Sequence, residues 1–224
     1  QALLKEIRDT PDDGLVFHKM DLSKCVIIAF GDSSWSNAPG HKSQANYDIY
    51  IADRDAVTKI GGKGNLVDFR SHRLRRACQC TLYAEAMASR EAEGAGLWTR
   101  LAGLEILNEK FRAVDAVRLE DNEKLDIDPR FKLPLYGVTD CKSLHDVVTL
   151  NSLPEDPRAA LEAIALREMI HEHADSINTD DQEDVAIGSR LREFHTSNGY
   201  LWCRSEEQKA DIGTKSHTRV DRRR

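Results

Sequence analysis

The sequence predicts an α/β fold in which a five-stranded mixed sheet carries helices on both faces. Three observations predict it. Three strand-like segments follow one another early in the chain, helical and strand-like segments then alternate, and the complete order reads β-β-β-α-β-α-α-β-α. Strands joined by turns pair antiparallel, whereas strands separated by a helix pair parallel, so both kinds of pairing are expected in one sheet.

The first part of the chain supplies the three early strands. Residues 1–24 contain a predicted short helix, a turn around Pro11 and a strand-like LVFHK. The run KCVIIAFGDSSW predicts a central strand that is buried on both faces, because its residues are apolar and β-branched up to a Gly and an Asp. NYDIYIAD and NLVDFRS, which are separated by a Gly-rich turn, predict the second and third strands.

The helices begin after the third strand. From Cys80 to Leu107 the apolar residues recur at three- and four-residue spacing, which predicts a helix. Gly94 and Gly96 predict a break in it, because Gly is a poor helix former. Residues 109–130 are highly charged and predict a surface excursion. The remaining elements are a strand at LPLYGVTD, helices at CKSLHDVV and DPRAALEAIALREMIHEHA, a strand at YLWCR and a short helix in QKADIGTK.

Composition limits the class of protein. The chain has 224 residues, of which 40% are hydrophobic, and this is enough for a substantial core. Its net charge of −6 argues against a protein that coats nucleic acid generally. No apolar run approaches the ~20 residues that cross a bilayer, so we expect an intracellular protein without a membrane partner. The five Cys are odd in number and scattered, which indicates reduced, buried thiols.

Four acids fall at the edges of four predicted elements. Asp32 follows the first apolar strand and Asp140 follows the fourth, so neighbouring parallel strands would place both at one rim of the sheet. Glu85 lies in the first turns of the long helix, and Asp211 opens the last helix. Carboxylates gathered in this way repel one another unless cations compensate them, and Mg²⁺ prefers such oxygen ligands. Two ions about 4 Å apart can serve a phosphodiester displacement, so the pattern predicts metal-dependent phosphoryl chemistry.

Each acid also has an ordinary structural interpretation. Asp32 can cap a turn, Asp140 can cap the helix that follows it, and Asp211 can interact with a helix N-terminus. Glu85 can be one more solvated acid on a helix. These interpretations weaken when the four residues are considered as a set, because the acids recur at a single predicted rim.

Several local motifs carry a resemblance. Four motifs occur in the order of the predicted elements: FGDSSW, FRSHRLRRACQCTLYAEAMA, VTDCKSL and the closing QKADIGTK. In the second motif a basic stretch leads into the start of a helix. Together with that order they resemble the ribonuclease H domain of copia-type LTR retrotransposon Pol polyproteins, and QKADIGTK is the most specific of them. The resemblance extends from about residue 2 to Lys215, and LLKEIRDTPDDGLVF resembles the segment that links a reverse transcriptase to this domain.

The resemblance implies a fold, an activity and a site. It implies a ribonuclease H-like fold and an endonuclease that cleaves the RNA strand of RNA–DNA hybrids during reverse transcription. It implies two Mg²⁺ ions, for which Mn²⁺ can substitute, and four residues that are both catalytic and metal-binding. These residues are Asp32, Glu85, Asp140 and Asp211.

The resemblance also implies a domain organisation and partners. Residues 1–24 form a segment following a reverse transcriptase, residues 25–216 form the ribonuclease H-like domain, and residues 217–224 form a basic tail. The expected partners are an RNA–DNA hybrid and the reverse transcriptase of the same polyprotein. The expected location is the cytoplasm, in a virus-like particle, or the nucleus.

A basic stretch is the candidate for holding the nucleic-acid backbone, with selection for RNA through 2′-hydroxyl contacts. Its members are Arg70, His72, Arg73, Arg75 and Arg76. The alternative is a solvated basic edge strand that discourages pairing between sheets. His195 is interpreted as a surface-loop residue, with assistance to proton transfer as the alternative, and Trp35, Trp98 and Trp202 are interpreted as core residues.

Departures from the family pattern keep other functions open. CQCTLYAE lacks one acid of the usual stretch, and RAALEAIALRE lacks the family's Lys-His pair, with Glu162 in place of its Asp. A catalytically inactive, degenerate retroelement-derived module with a scaffold or binding role is therefore the main alternative. An integrase-like strand-transfer enzyme, which shares the core of the fold, is a third candidate, but QKADIGTK favours ribonuclease H.

Overall fold

The computed structural model describes residues 14–38, 42–58, 62–116, 130–150, 152–175 and 199–214. The strands in these ranges are β1 (Cys25–Ala38), β2 (Lys42–Asp53), β3 (Gly64–Arg73), β4 (Leu135–Thr139) and β5 (Tyr200–Trp202). The α-helices are α1 (Asp55–Thr58), α2 (Thr81–Leu107), α3 (Ala113–Ala116), α4 (Lys142–Thr149), α5 (Pro157–Asp175) and α6 (Asp211–Thr214). The predicted N-terminal helix, most of the charged excursion, His195 and the basic tail lie outside the described residues.

The five strands form one mixed sheet in the order β3-β2-β1-β4-β5. β1 pairs antiparallel with β2, and β2 pairs antiparallel with β3. β4 pairs parallel with β1 and with β5. The predicted fold class, a ribonuclease H-like five-stranded mixed sheet, is therefore confirmed, and β1 lies at its centre.

Side chains of β1 enter two hydrophobic clusters on opposite faces of the sheet. Ile27 and Ala29 pack in a cluster with Leu104 of α2. Val26 and Ile28 pack in another cluster with Val57 of α1. Successive side chains of a strand point to opposite faces, so a continuous apolar run suits a strand that is covered on both sides. The predicted central strand, and the prediction of helices on both faces, are confirmed.

The long helix α2 runs without interruption from Thr81 to Leu107, so the predicted break at its glycines is wrong. A Cβ added at Gly96 would lie 2.7 Å from Leu135 Cδ1 and 3.2 Å from Ala29 Cβ. Gly96 therefore lets the helix approach the sheet closely. At Gly94 such an atom would meet only Met169 Cε, at 3.9 Å.

Three further predictions are wrong. LVFHK is not a strand, because the main chain of His18 bonds the Asn65 side chain, donating to Oδ1 at 2.7 Å and accepting from Nδ2 at 2.9 Å. Trp98 is 66% exposed, because the buried stripe of α2 passes through Leu101 and Leu104 instead. The five Cys are free thiols, as predicted, but only Cys25 is buried, so the prediction that all are buried is wrong. None of the helices in the described ranges combines the length and apolarity needed to span a bilayer.

Candidate active site

The parallel pairing of β1 with β4 places two of the predicted acids side by side. The last pair in this register is Phe30 with Val138, and Asp32 and Asp140 each lie two residues further on. Asp32 does not lie at the end of its strand, as the sequence had indicated, because β1 continues to Ala38 along β2. It lies instead where β4 stops, and this leaves its carboxylate free to face the end of the shorter strand.

Glu85 reaches the same rim from the first turns of α2. Its carboxylate is held by Ser33, whose Oγ donates a hydrogen bond to Oε1 at 2.8 Å. Asp32, Glu85 and Asp140 offer carboxylate oxygens that all lie within 4.8 Å of one another. The structure therefore gathers three of the four predicted acids into one cluster, named here the acid cluster.

The loop before α6 is fixed to the centre of the sheet by two buried amides. Asn46 Nδ2 of β2 donates to the Ala210 carbonyl at 2.9 Å, and Gln208 Nε2 donates to the Gly31 carbonyl at 3.0 Å. These contacts bring the start of α6 to the face of β1 and β2 beside the acid cluster.

Helix α6 contributes a hydroxyl and a charge to the acid cluster. Thr214 Oγ1 donates to Asp32 Oδ2 at 2.5 Å and to the Asp211 carbonyl at 3.1 Å. Asp211 is not among the acids whose oxygens all lie within 4.8 Å of one another. Its charge nevertheless helps to raise the pKa of Asp32, so its carboxylate lies near the cluster without joining it.

Burial and mutual repulsion disfavour the ionised forms of the acid cluster. Burial, followed by the charges of Asp140 and Asp211, raises the pKa of Asp32 to about 6, although the Thr214 hydroxyl acts in the opposite direction. Burial, followed by the charge of Asp32, raises the pKa of Glu85 well above its ordinary value. A cation among these oxygens would relieve both penalties.

The donor set suits a hard divalent cation. Three carboxylates from three separate elements converge, and oxygen is the ligand that Mg²⁺ and Mn²⁺ prefer. Glu85 Oε2 is buried and has no hydrogen-bond partner in the described part of the chain. A buried carboxylate oxygen without a partner is costly, and a bound cation would satisfy it. The residues present therefore fit a metal ion.

The structural interpretations do not account for Asp32, Asp140 or Glu85. Asp32 lies inside a strand, and the N-cap of α4 is Cys141 and not Asp140. Asp211 is the first residue of α6, and this position agrees with its interpretation as an acid that interacts with a helix N-terminus. Glu85 is only partly exposed and bonds to Ser33, so it is not a freely solvated acid.

Two cysteines adjoin the acid cluster but remain thiols. Cys203 follows β5 and donates its main-chain N–H to the Thr139 carbonyl at 2.9 Å. Burial and the charge of Asp140 raise the pKa of Cys203 to about 12. Burial also raises the pKa of Cys141. Because the thiolate is the form that binds metals and attacks electrophiles, neither cysteine competes with the carboxylates at neutral pH.

The basic stretch lies level with the acid cluster at the edge of the sheet. Asp32 pairs with Asn46, and Asn46 pairs with Ser71 of β3, so Arg70 lies one residue before this row and Arg73 two residues after it. Two strand spacings separate the outer members of this row, which places the β3 main chain about 10 Å from that of Asp32. β3 is an edge strand, so its position is equally compatible with the alternative interpretation, a solvated basic edge that discourages pairing between sheets.

The five members of the basic stretch differ in their surroundings. The four Arg side chains are exposed, whereas His72 is half-buried and its Nε2 lies 3.1 Å from Glu91 Oε2. Arg76 Nη1 lies 3.2 Å from Glu162 Oε1 of α5, and Glu162 also pairs with Arg90. Glu162 therefore fixes the chain between β3 and α2.

Three side chains that orient the acids escaped sequence reasoning. Ser33 and Thr214 donate hydroxyl hydrogens to acids of the cluster, and Trp202 Nε1 donates to the Asp140 carbonyl at 2.9 Å. Ser33 lies in GDSSW and Thr214 in QKADIGTK, the motifs that contain Asp32 and Asp211. Closeness in sequence to a predicted acid was therefore the one signal that could have identified them.

Comparison with known proteins found likenesses only among solved structures. No protein-family model matches the chain, and no curated protein matches it. The N-terminal RNase H domain of a Mycobacterium tuberculosis protein is 12% identical, with a TM-score of 0.42 over 85% of this chain and 91% of that one. LC11-RNase H1, isolated from compost by a metagenomic approach, is 13% identical, with a TM-score of 0.44 over 84% and 91%.

A viral enzyme shows a weaker likeness. The foamy viral protease–reverse transcriptase in complex with an RNA/DNA hybrid is 10% identical, with a TM-score of 0.34 over 79% of this chain and 20% of that one. Likenesses at this level carry no functional inference.

Proposed function

We propose that this chain is a two-metal-ion endonuclease that cleaves the RNA strand of RNA–DNA hybrids during retrotransposon reverse transcription. The observation that carries the proposal is the acid cluster, whose oxygens lie within 4.8 Å of one another at the rim of a ribonuclease H-like sheet. The motifs GDSSW, VTDCKSL and QKADIGTK, which contain Asp32, Asp140 and Asp211, support a copia-type origin.

The acid cluster and Asp211 would hold two Mg²⁺ ions. Such ions, when bound, supply an activated water and neutralise the charge that develops on the leaving 3′ oxygen. The chain's own residues prepare this site. Ser33 and Thr214 fix one carboxylate each, and Trp202 holds the main chain of Asp140. Preorganised ligands lower the cost of ordering the site when the substrate arrives.

The basic stretch would hold the nucleic-acid backbone. The β3 main chain lies about 10 Å from that of Asp32, which is within the span of a few phosphates of a bound duplex, and Arg73 lies on the same face of the sheet as Asp32. Arg75 continues the exposed positive charge towards α2. We propose that contacts to 2′-hydroxyls select the RNA strand, and that residues 1–24 connect the domain to a reverse transcriptase.

A strand-specific cleavage assay tests the proposal. The purified chain is incubated with a hybrid carrying different labels on its RNA and DNA strands, in Mg²⁺, in Mn²⁺ and in EDTA. We expect cleavage of the RNA strand alone, in either metal and not in EDTA. Asp32→Asn, Glu85→Gln and Asp140→Asn should each lower the rate by about 100-fold or more, because loss of even an outer-shell partner of a metal ligand costs about 10–100-fold. Glu168→Gln, which alters an exposed acid of α5, is the matched control.

Two outcomes would favour the other functions. A folded chain that cuts nothing in Mg²⁺ or Mn²⁺, alone and when joined to its polymerase, would make the inactive scaffold the better account. Cutting or joining of DNA ends, with the RNA strand intact, would instead indicate strand-transfer chemistry.

A further inference from the structure

One aromatic side chain close to the acid cluster is presented to solvent. Trp35 lies in β1, three residues after Asp32, and is 46% exposed, so its interpretation as a core residue is wrong. Three residues of extended strand span about 10 Å, so the main chain of Trp35 lies one or two nucleotide lengths from that of Asp32. Burial of a large aromatic ring is normally favourable, so an aromatic ring that stays exposed beside a candidate active site is a candidate ligand contact.

The indole is anchored in this exposed position. Its Nε1 donates to the Cys78 carbonyl at 3.1 Å. The next residue, Ser36, has a left-handed φ of 58°, and the β1–β2 register shifts between Ser34 and Ala38. Such an irregularity bends the strand and re-aims its side chains. Because the one polar atom of the ring is already bonded, the ring offers its apolar faces to solvent.

The surroundings of Trp35 are cationic. The segment that accepts its hydrogen bond runs from β3 to α2 and carries the exposed Arg75, together with Arg76, which pairs with Glu162. Ser34, its neighbour, pairs with Gln44, which pairs with Arg73. An aromatic face bordered by cations is the combination that binds single nucleotides of a strand, since the cations hold phosphates and the ring packs against a sugar or base.

We propose that Trp35 binds the nucleic-acid substrate by packing its indole against the apolar face of a nucleotide beside the scissile phosphate. The inference rests on the proposed function, because the ligand is the same hybrid. In a duplex the accessible apolar surface is the sugar edge, whereas in a single strand it is the base. Trp35 is thus a specificity-determining contact, in addition to its structural bond to Cys78.

Binding measurements with matched tryptophan variants test this role. Fluorescence anisotropy in EDTA, without cleavage, compares a labelled hybrid with single-stranded RNA of the same sequence. We expect Trp35→Ala to weaken binding of one or both about tenfold, the size expected for one stacked aromatic. Trp98→Ala should leave binding unchanged, because Trp98 is also exposed but lies about 20 Å from Glu85 along α2.

A Phe variant separates packing from anchoring. Trp35→Phe keeps an apolar ring but cannot donate to Cys78. If the ring itself contacts the nucleotide, Trp35→Phe should bind within about threefold of the wild type; loss equal to that of Trp35→Ala would overturn the proposal. A direct signal leaves Trp202 in place: indole fluorescence of a Trp98→Phe protein, compared with that of a Trp35→Phe, Trp98→Phe protein, isolates Trp35 and should change on addition of hybrid. A signal unchanged at saturation would also overturn it.

The two proposals fail in different ways. Hybrid binding that depends on Trp35, without any cleavage in Mg²⁺ or Mn²⁺, would contradict the nuclease activity and retain this inference. Cleavage by the wild-type chain with binding indifferent to Trp35 would retain the activity and overturn the inference.

Discussion

Replacement of Asp32 by Asn is expected to stabilise the metal-free protein at neutral pH. The Asp32 side chain is 5% exposed, and its pKa is raised from 3.8 to about 6, first by burial. The folded state therefore binds this proton more tightly than the unfolded chain does. Its contribution to stability is fully present below about pH 4 and is lost as the pH rises to about 6.

The structure sets the size of the effect. Each pH unit between the two pKa values is worth about 1.4 kcal/mol, so a rise from 3.8 to about 6 costs the folded state about 3 kcal/mol at neutral pH. Asn is neutral and keeps an oxygen that accepts the Thr214 hydroxyl. We therefore expect the free energy of unfolding of Asp32→Asn to exceed that of the wild type by about 2 kcal/mol at pH 7.5. At pH 4 the two free energies should differ by less than about 1 kcal/mol.

Urea unfolding followed by circular dichroism, in EDTA at both pH values, measures these differences. Glu168→Gln removes the same charge from an exposed position, so its effect should stay within about 0.5 kcal/mol at either pH. Millimolar Mg²⁺ should reduce or reverse the difference in stability between Asp32→Asn and the wild type, because it binds the folded wild type and stabilises it. An Asp32→Asn protein no more stable than the wild type at pH 7.5 in EDTA would refute the reasoning.

Two further predictions concern packing and the pH profile of cleavage. Gly96→Ala should destabilise the fold by about 1–3 kcal/mol in urea unfolding, because its methyl group would collide with Leu135, whereas Gly94→Ala in the same helix should be neutral or stabilising. Equal effects would contradict the close helix–sheet contact. Thr214→Val removes the hydrogen bond that lowers the pKa of Asp32, so the acidic limb of kcat/KM should move to higher pH. Thr214→Ser should return the acidic limb to its wild-type pH. An acidic limb that Thr214→Val does not move would show that the Thr214 hydroxyl does not set the pKa of Asp32.

The strands that carry the site were predictable because their signals are local. The apolar run of β1 and the shorter run of β4 each end next to an acid, and parallel pairing then places Asp32 and Asp140 at one rim. The helix that carries Glu85 follows from three- and four-residue spacing. The position of Asp211 at the start of the last helix was predictable, but its role as a metal ligand was implied by the QKADIGTK resemblance.

Packing between distant elements was not predictable from the sequence. Gly96 has the local character of a helix breaker, yet it permits contact with Leu135, 39 positions away in the chain. Trp98 is apolar and helical, but the buried face of α2 contains Leu101 and Leu104 and leaves Trp98 exposed. Both outcomes depend on which surface the sheet presents, and local propensity does not contain that information.

The supporting contacts of the site were hidden for the same reason. Ser33 and Glu85 are 52 positions apart, and Thr214 and Asp32 are 182 positions apart. A hydroxyl donor has no periodicity or spacing that marks its partner. The sequence therefore predicted the acids but not the side chains that orient them.

Binding of Mn²⁺ measured by electron paramagnetic resonance tests the convergence of the acids most directly. The wild-type chain should remove free Mn²⁺ from solution with a saturable stoichiometry, and Mg²⁺ should compete with it. The Asp32→Asn, Glu85→Gln, Asp140→Asn triple variant, once shown to be folded, should lose this binding, while Glu168→Gln should retain it. Equal Mn²⁺ binding by the wild type and the folded triple variant would contradict a cation site at the rim of this sheet.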